Sequence, residues 1–205
     1  MCAGGYVMAS VSEPGYFCSN GMSESRHDSP FANSGLVLTI GLDDMDSTHP
    51  LAGVHYQQRA ERLAYLAGGR EYKAPIQRVD DFLRGRASRG NVPSSYSLYS
   101  RGVIPTDLGL ILPPVVLDIL ERGLPTMDRR LGGQFLREAT LTGPESRGSS
   151  PVRIPRDDRT RQAPALAGLY PCGEGAGYAG GIVSAAVDGL RTARALVAQY
   201  AQPHS

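Results

Sequence analysis

The run from Gly173 to Gly181, Gly-Glu-Gly-Ala-Gly-Tyr-Ala-Gly-Gly, is the part of the chain best suited to chemistry, and it admits two readings. Gly175 to Gly180 spells G-x-G-x-x-G between an apolar stretch and a helical pattern, the setting in which a pyrophosphate rests on a helix N-terminus. That reading needs a second strand closed by an acidic residue, and the helix takes up most of the chain after Gly180. The other reading turns on Glu174. A carboxylate at the C-terminal end of a strand lies where open α/β sheets bind ligands, and it can accept a hydrogen bond from a sugar-alcohol hydroxyl. Glycines after it let the backbone lie against a flat ring without Cβ clashes. The free amides near Gly181, Ile182 and Val183 carry about half a positive charge, which stabilises an anionic ring edge.

The elements that must position this run can be read from patterning. Ala167 to Cys172 is expected to be a strand and Ile182 to Tyr200 a helix. On that helix Ile182, Ala186, Leu190, Ala193 and Val197 share one face, and Arg191 and Arg194 suit the negative end of its dipole. Upstream, Tyr6 to Asn20 reads as a hairpin, because Glu13-Pro14-Gly15 specifies a type II turn between two runs of β-formers. Gly21 to Asn33 reads as a polar loop, Leu36 to Ile40 as a buried strand, and Gly41 to Pro50 as an acidic loop. A helix from Leu51 to Ala67 ends at Gly68-Gly69. Arg78 to Gly102 reads as an extended surface loop. Thr106 is expected to cap a short helix to Leu112, with further helices over Val115 to Arg122 and Asp128 to Arg137. Thr140 to Arg147 and Ser150 to Ile154 read as strand and turn, and Arg156 to Pro164 as a charged connector.

Composition narrows the function classes. A chain of 205 residues with a net charge of +1 does not call for a nucleic acid or an acidic membrane. Lys73 is its only lysine, a bias read as compositional. Cys2, Cys18 and Cys172 form no C-x-x-C pair, so neither a disulfide framework nor a zinc site is indicated. The N-terminus lacks the basic and apolar regions of a signal peptide, and no apolar run approaches the ~18 residues of a membrane span. A soluble, cytoplasmic protein is expected.

Other residues are weaker candidates for chemistry. Asp43-Asp44-Met45-Asp46 lacks the glycine and glutamate of a calcium loop and reads as solvated. His27, His49, His55 and His204 show no metal spacing, and His27 is the first to test as a proton donor. There is no G-x-S-x-G elbow. Cys172 reads as a small buried residue at the end of the site strand, with a place near the bound ring as the alternative. The arginines and tyrosines from Arg78 to Arg101 suit either a loop or RNA. Arg147 or Arg153 could hold an acidic substrate or a phosphate.

Gly168 to Ala193, GLYPCGEGAGYAGGIVSAAVDGLRTA, resembles the second FAD motif of glutathione-reductase-type flavoproteins with two dinucleotide-binding domains. More narrowly, it resembles an uncharacterised bacterial FAD-dependent dehydrogenase family. The likeness extends through Cys2–Gly15, Asn20–Leu38, Tyr72–Arg86, Ile104–Pro114 and Leu141–Ile154. It implies an α/β fold: the C-terminal part of an FAD-binding Rossmann-like domain plus a mixed β/α substrate-side domain. Residues 1–144 would form the substrate-side domain and residues 145–205 the return to the FAD-binding domain. The ADP-binding βαβ unit of the family is absent from this sequence, so truncation or a separately encoded N-terminal FAD-binding half is expected. The implied function is an FAD-dependent oxidoreductase, with hydride transfer through the flavin and NAD(P)H as a candidate electron partner. Gly173, Glu174, Gly175, Gly180, Gly181, Ile182 and Val183 are the implied cofactor-binding residues. No catalytic residue, metal or particular small-molecule substrate is assigned. A remnant or interaction module that no longer holds FAD is the alternative, and an RNA-modifying flavoprotein is a third reading.

Overall fold

The computed structural model describes residues 2–10, 13–45, 47–93, 101–134 and 136–200. The fold is α/β, with mixed helices and small sheets, and it divides into two compact units. The first comprises Met1–Met45 and Tyr56–Ser146, the second Asp46–His55 and Arg147–Ser205.

In the first unit, β1 (Cys2–Ala3) pairs antiparallel with β4 (Ala32–Asn33), and β2 (Gly5–Ser10) with β3 (Cys18–Ser23). The β2–β3 hairpin turns as Pro14-Gly15 requires. The Tyr16 amide donates to the Glu13 carbonyl at 3.2 Å, and Gly15 has φ 82°, a left-handed value that favours glycine. The turn is tied down from both sides: Arg62 Nη1 donates to the Gly15 carbonyl at 2.9 Å, and the Gly15 amide to the Tyr72 hydroxyl at 2.8 Å. Part of the expected polar loop after Gly21 is therefore strand, because the hairpin register carries β3 on to Ser23. Leu36 to Ile40 is not a strand. It pairs with nothing among the described residues, and Val37 is 94% exposed.

Helix α1 (Ala52–Ala67) begins in the second unit, belongs to the first from Tyr56, and ends at Gly68-Gly69, with Gly69 at φ 73°. A three-stranded sheet comes next, ordered β6 (Val103–Pro105), β5 (Ala74–Arg78), β7 (Thr140–Thr142). The central strand escapes periodicity because Pro75 lies in it. Pro75 gives no amide, but its carbonyl accepts the Gly143 amide at 3.1 Å just past the Ile76–Thr142 pair, and it stands beside Ile104 in the β6 pairing. Gln77, fully buried, donates from Nε2 to the Arg86 carbonyl and accepts the Leu108 amide at Oε1, both at 2.9 Å.

The expected loop after Arg78 contains α2 (Val79–Phe82) and a fold around Asp81, which accepts from Arg86 Nε at 2.7 Å and Ser88 Oγ at 2.8 Å. Asp107, not Thr106, caps the next turn, a 3-10 helix over Leu108–Leu110. The helix expected over Val115 to Arg122 is longer, α3 (Pro114–Arg130), continuous through Pro125. Of the one expected over Asp128 to Arg137 only the start is helical, as the last turn of α3, and the described residues after Arg130 in that stretch form turns. Packing overrides the local breakers: Leu124 is buried in the core that Phe17, Ile76, Val79, Phe82 and Leu108 share, with Leu117 and Leu120 against it.

The second unit holds α4 (Ile182–Gln199) and irregular chain. Ala167 to Cys172 is not a strand, and neither is Ser150 to Ile154. Pro171 cannot donate to a ladder, and no strand runs beside either stretch among the described residues. The first turn of α1 packs within this unit through Gly53, where a Cβ would lie 2.8 Å from the Pro151 carbonyl oxygen.

Candidate functional site

The glycine run folds into a closed turn. The Gly177 amide donates to the Glu174 carbonyl at 2.9 Å, and the Tyr178 amide to the Gly173 carbonyl at 3.0 Å. Gly177 has φ 82°, and a Cβ there would meet the Val152 carbonyl at 2.4 Å, so glycine is required twice over. Residues 150–154 fasten the same turn. Ser150 Oγ donates to the Gly175 carbonyl at 3.1 Å, and the Ile154 amide to the Ala176 carbonyl at 3.1 Å. This G-x-G-x-x-G belongs to no βαβ unit, since no strand adjoins it among the described residues.

Behind the turn lies Asp188, on the second turn of α4 and 8% exposed. Its Oδ1 accepts from Arg156 Nη2 at 2.7 Å and Arg161 Nη1 at 2.8 Å. Its Oδ2 accepts from Arg156 Nη1 at 2.8 Å and the Gly173 amide at 2.9 Å. The Arg156 guanidinium, helped by the Gly173 amide and Arg161, holds the Asp188 carboxyl well below the usual carboxylate range. Arg156 Nη1 also donates to the Pro171 carbonyl at 2.7 Å. Its guanidinium lies 3.5 Å from the centre of the Tyr178 ring, which Arg153 also approaches at 4.3 Å.

Helix α4 opens at Gly181, whose carbonyl takes the Ala185 amide at 2.9 Å. Ser184 Oγ accepts the Gly181 amide at 3.1 Å. The amides of Ile182 and Val183 therefore have no carbonyl of the helix to meet. Their side chains are bare, 91% and 75% exposed.

The residues singled out by sequence fall into two groups. Gly173, Glu174 and Gly175 lie on the turn, whereas Gly180, Gly181, Ile182 and Val183 form the helix start. Gly173 links them, since its amide is taken by Asp188 and a Cβ there would sit 3.9 Å from the Ala185 side chain. Glu174 is exposed, with no hydrogen bond or ion pair to its side chain among the described residues. Above Gly175 a Cβ would meet nothing within 4 Å, and above Gly180 only Ser149 Oγ at 3.4 Å. That open space suits the flat face of a ring. Cys172 is exposed rather than buried.

Asp188 and Tyr178 carry no role in the sequence expectations, and Arg156 and Arg161 both fall in the stretch expected to be a charged connector. The available signal is a lone acid after the apolar stretch Ala185-Ala186-Val187. Elsewhere, Asp44 caps the short turn over Leu42–Asp44 by accepting the Gly41 amide at 2.7 Å, while Asp46 lies outside the described residues. Among the described residues no cluster of His, Cys, Asp and Glu could hold a metal, and no helix is long and apolar enough to cross a membrane. Several arginines of the stretch considered for RNA are engaged within the chain. Arg84 pairs with Asp80, Arg86 with Asp81, and Arg78 Nη2 donates to the Asn91 carbonyl. Residues 94–100 lie outside the described residues, as does His204. His27 is exposed in a loop at φ 52°.

Residues 1–148 match the family described as FAD-dependent protein, C-terminal domain-like. An uncharacterized protein of Clostridium beijerinckii is 42% identical over 99% of this chain, and the chain spans 38% of that relative's length.

Proposed function

The chain belongs to this family, and we propose that it is the flavin-end portion of an FAD-dependent oxidoreductase. In this reading residues 1–144 form the substrate-side domain, and residues 145–205 complete a Rossmann-like FAD-binding domain. The ADP half of FAD is held by residues outside this chain, in one longer polypeptide or a separate N-terminal half. The protein works in the cytoplasm on a small-molecule substrate, with NAD(P)H as the candidate electron partner.

One observation carries the reading: a closed glycine turn bearing an exposed, unengaged carboxylate is tied through Asp188 to a helix whose first two residues, Ile182 and Val183, have amides with no carbonyl of the helix to meet and bare side chains. Glu174 would accept a hydrogen bond from a ribitol hydroxyl. Gly175 and Gly180 would let the backbone approach the ring. The amides of Ile182 and Val183 would carry partial positive charge toward its pyrimidine edge, the Gly181 amide being taken by Ser184 Oγ, and the Ile182 and Val183 side chains would exclude water there. FAD, when bound, supplies the hydride-accepting chemistry, which the protein positions and tunes.

The test is a titration of the full chain with FAD, read by flavin absorbance and fluorescence. Binding is expected, with Glu174→Ala weakening it about tenfold, equivalent to about 1.4 kcal/mol. FAD and FMN are expected to bind alike, because the contacts lie at the ring and ribitol. Absence of binding would favour the second reading, a non-catalytic interaction module. That reading has its own support in α4, whose Val187, Leu190 and Val197 are all exposed.

A further inference from the structure

We infer that Asp188 and Arg156, assisted by Arg161, are positioning residues that set the conformation of the turn carrying Glu174, and through it the affinity for flavin. The cofactor half of this inference rests on the proposed function; the conformational half does not.

The carboxylate of Asp188 is saturated: four hydrogen bonds fill the roughly four acceptor positions an ionised carboxylate has. Those bonds converge on the turn. Pro171 is held by its carbonyl and Gly173 by its amide, so both flanks of Cys172 are fixed by one guanidinium–carboxylate pair. The far end is held by the same guanidinium, which covers the Tyr178 ring, while the Tyr178 hydroxyl donates to the Ile154 carbonyl at 3.0 Å. Glu174, Gly175, Ala176 and Gly177 thus span two anchored ends. Arg161 reaches Asp188 from a left-handed backbone at φ 63°, a strained conformation for a side-chain-bearing residue. Buried ion pairs stabilise folds poorly compared with apolar packing, and their better-attested use is to specify one arrangement. Here the arrangement specified is the turn.

The decisive variant is Arg156→Met with Asp188→Leu in the full chain, an apolar replacement of similar volume that keeps the interior packed while removing the side-chain bonds to Gly173 and Pro171. Arg156→Lys is its companion, keeping the charge and losing the fork. The amides of Gly173 and Tyr178 are expected to exchange with solvent at least about tenfold faster in both, while the amides of α4 beyond Thr192 keep their protection. FAD affinity should fall by a similar factor. Exchange at Gly173 and Tyr178 equal to that of the parent chain would overturn the inference. So would faster exchange with unchanged FAD affinity. If the parent chain binds no FAD yet the variants loosen the turn, the proposed function falls and the positioning role stands. Asp188→Asn alone is a weaker test, because it leaves buried guanidinium groups without a counter-charge and can unfold the unit.

Discussion

The two units are held together by different physics. In the first, Phe17, Ile76, Val79, Phe82, Leu108 and Leu124 close an apolar core. In the second, the buried hydrophobic residues among those described are only Ala163 and Ala176. They lie in the same unit as buried Asp188 and Thr192, while Ile182, Val183, Leu190 and Val197 are exposed. A domain that folds for its own sake buries its large apolar side chains. One that turns a charge inward and its aliphatics outward is arranged around a local geometry, here the glycine turn.

That contrast can be broken most forcefully in the first unit. Ile76→Ala, deleting a fully buried side chain of the central strand, should lower stability by about 2–5 kcal/mol, seen as a lower urea midpoint. Next is Gly15→Ala, which places a Cβ at a left-handed φ of 82° and should lower the same midpoint, by about 1–2 kcal/mol in stability. On the outer face of α4, Leu190→Lys should change stability by no more than about 0.5 kcal/mol, since that side chain is already 53% exposed. The smallest effect is expected from acid. Asp188 has its folded pKa held below its unfolded value, so its contribution is complete above about 3.9 and lost only as pH falls through the depressed value. The Gly173 amide should therefore stay protected as pH is lowered from 7 to about 4, as measured by hydrogen exchange. Loss of protection by about pH 5 would mean that the carboxylate is not locked as described.

The features legible in the sequence are those written locally. Pro14-Gly15 specifies its own turn, Gly68-Gly69 ends α1, and the glycine run stands directly before α4. Features set by tertiary contacts are not legible. The central strand, Ala74–Arg78, carries Pro75 and has no local strand pattern; it is set by partners distant in sequence, Ile104 beside Pro75 in β6 and the Gly143 amide on its carbonyl. Gly123 and Pro125 read as a gap between helices, yet Leu124 between them is buried and the helix continues. Periodicity puts Ile182, Leu190 and Val197 on one face, but it does not say whether that face meets a core. Asp188 is invisible because the partners that make a buried acid tolerable, Arg156 and Arg161, lie on a loop 27 to 32 residues away.

Gln77 has a mechanical consequence. Its one side chain grips the carbonyl of Arg86 with its nitrogen and the amide of Leu108 with its oxygen. A displacement of either loop is thereby transmitted across the strand to the other. Engineering of one must carry its counterpart along, and replacing the amide by a carboxylate would uncouple them at a stroke.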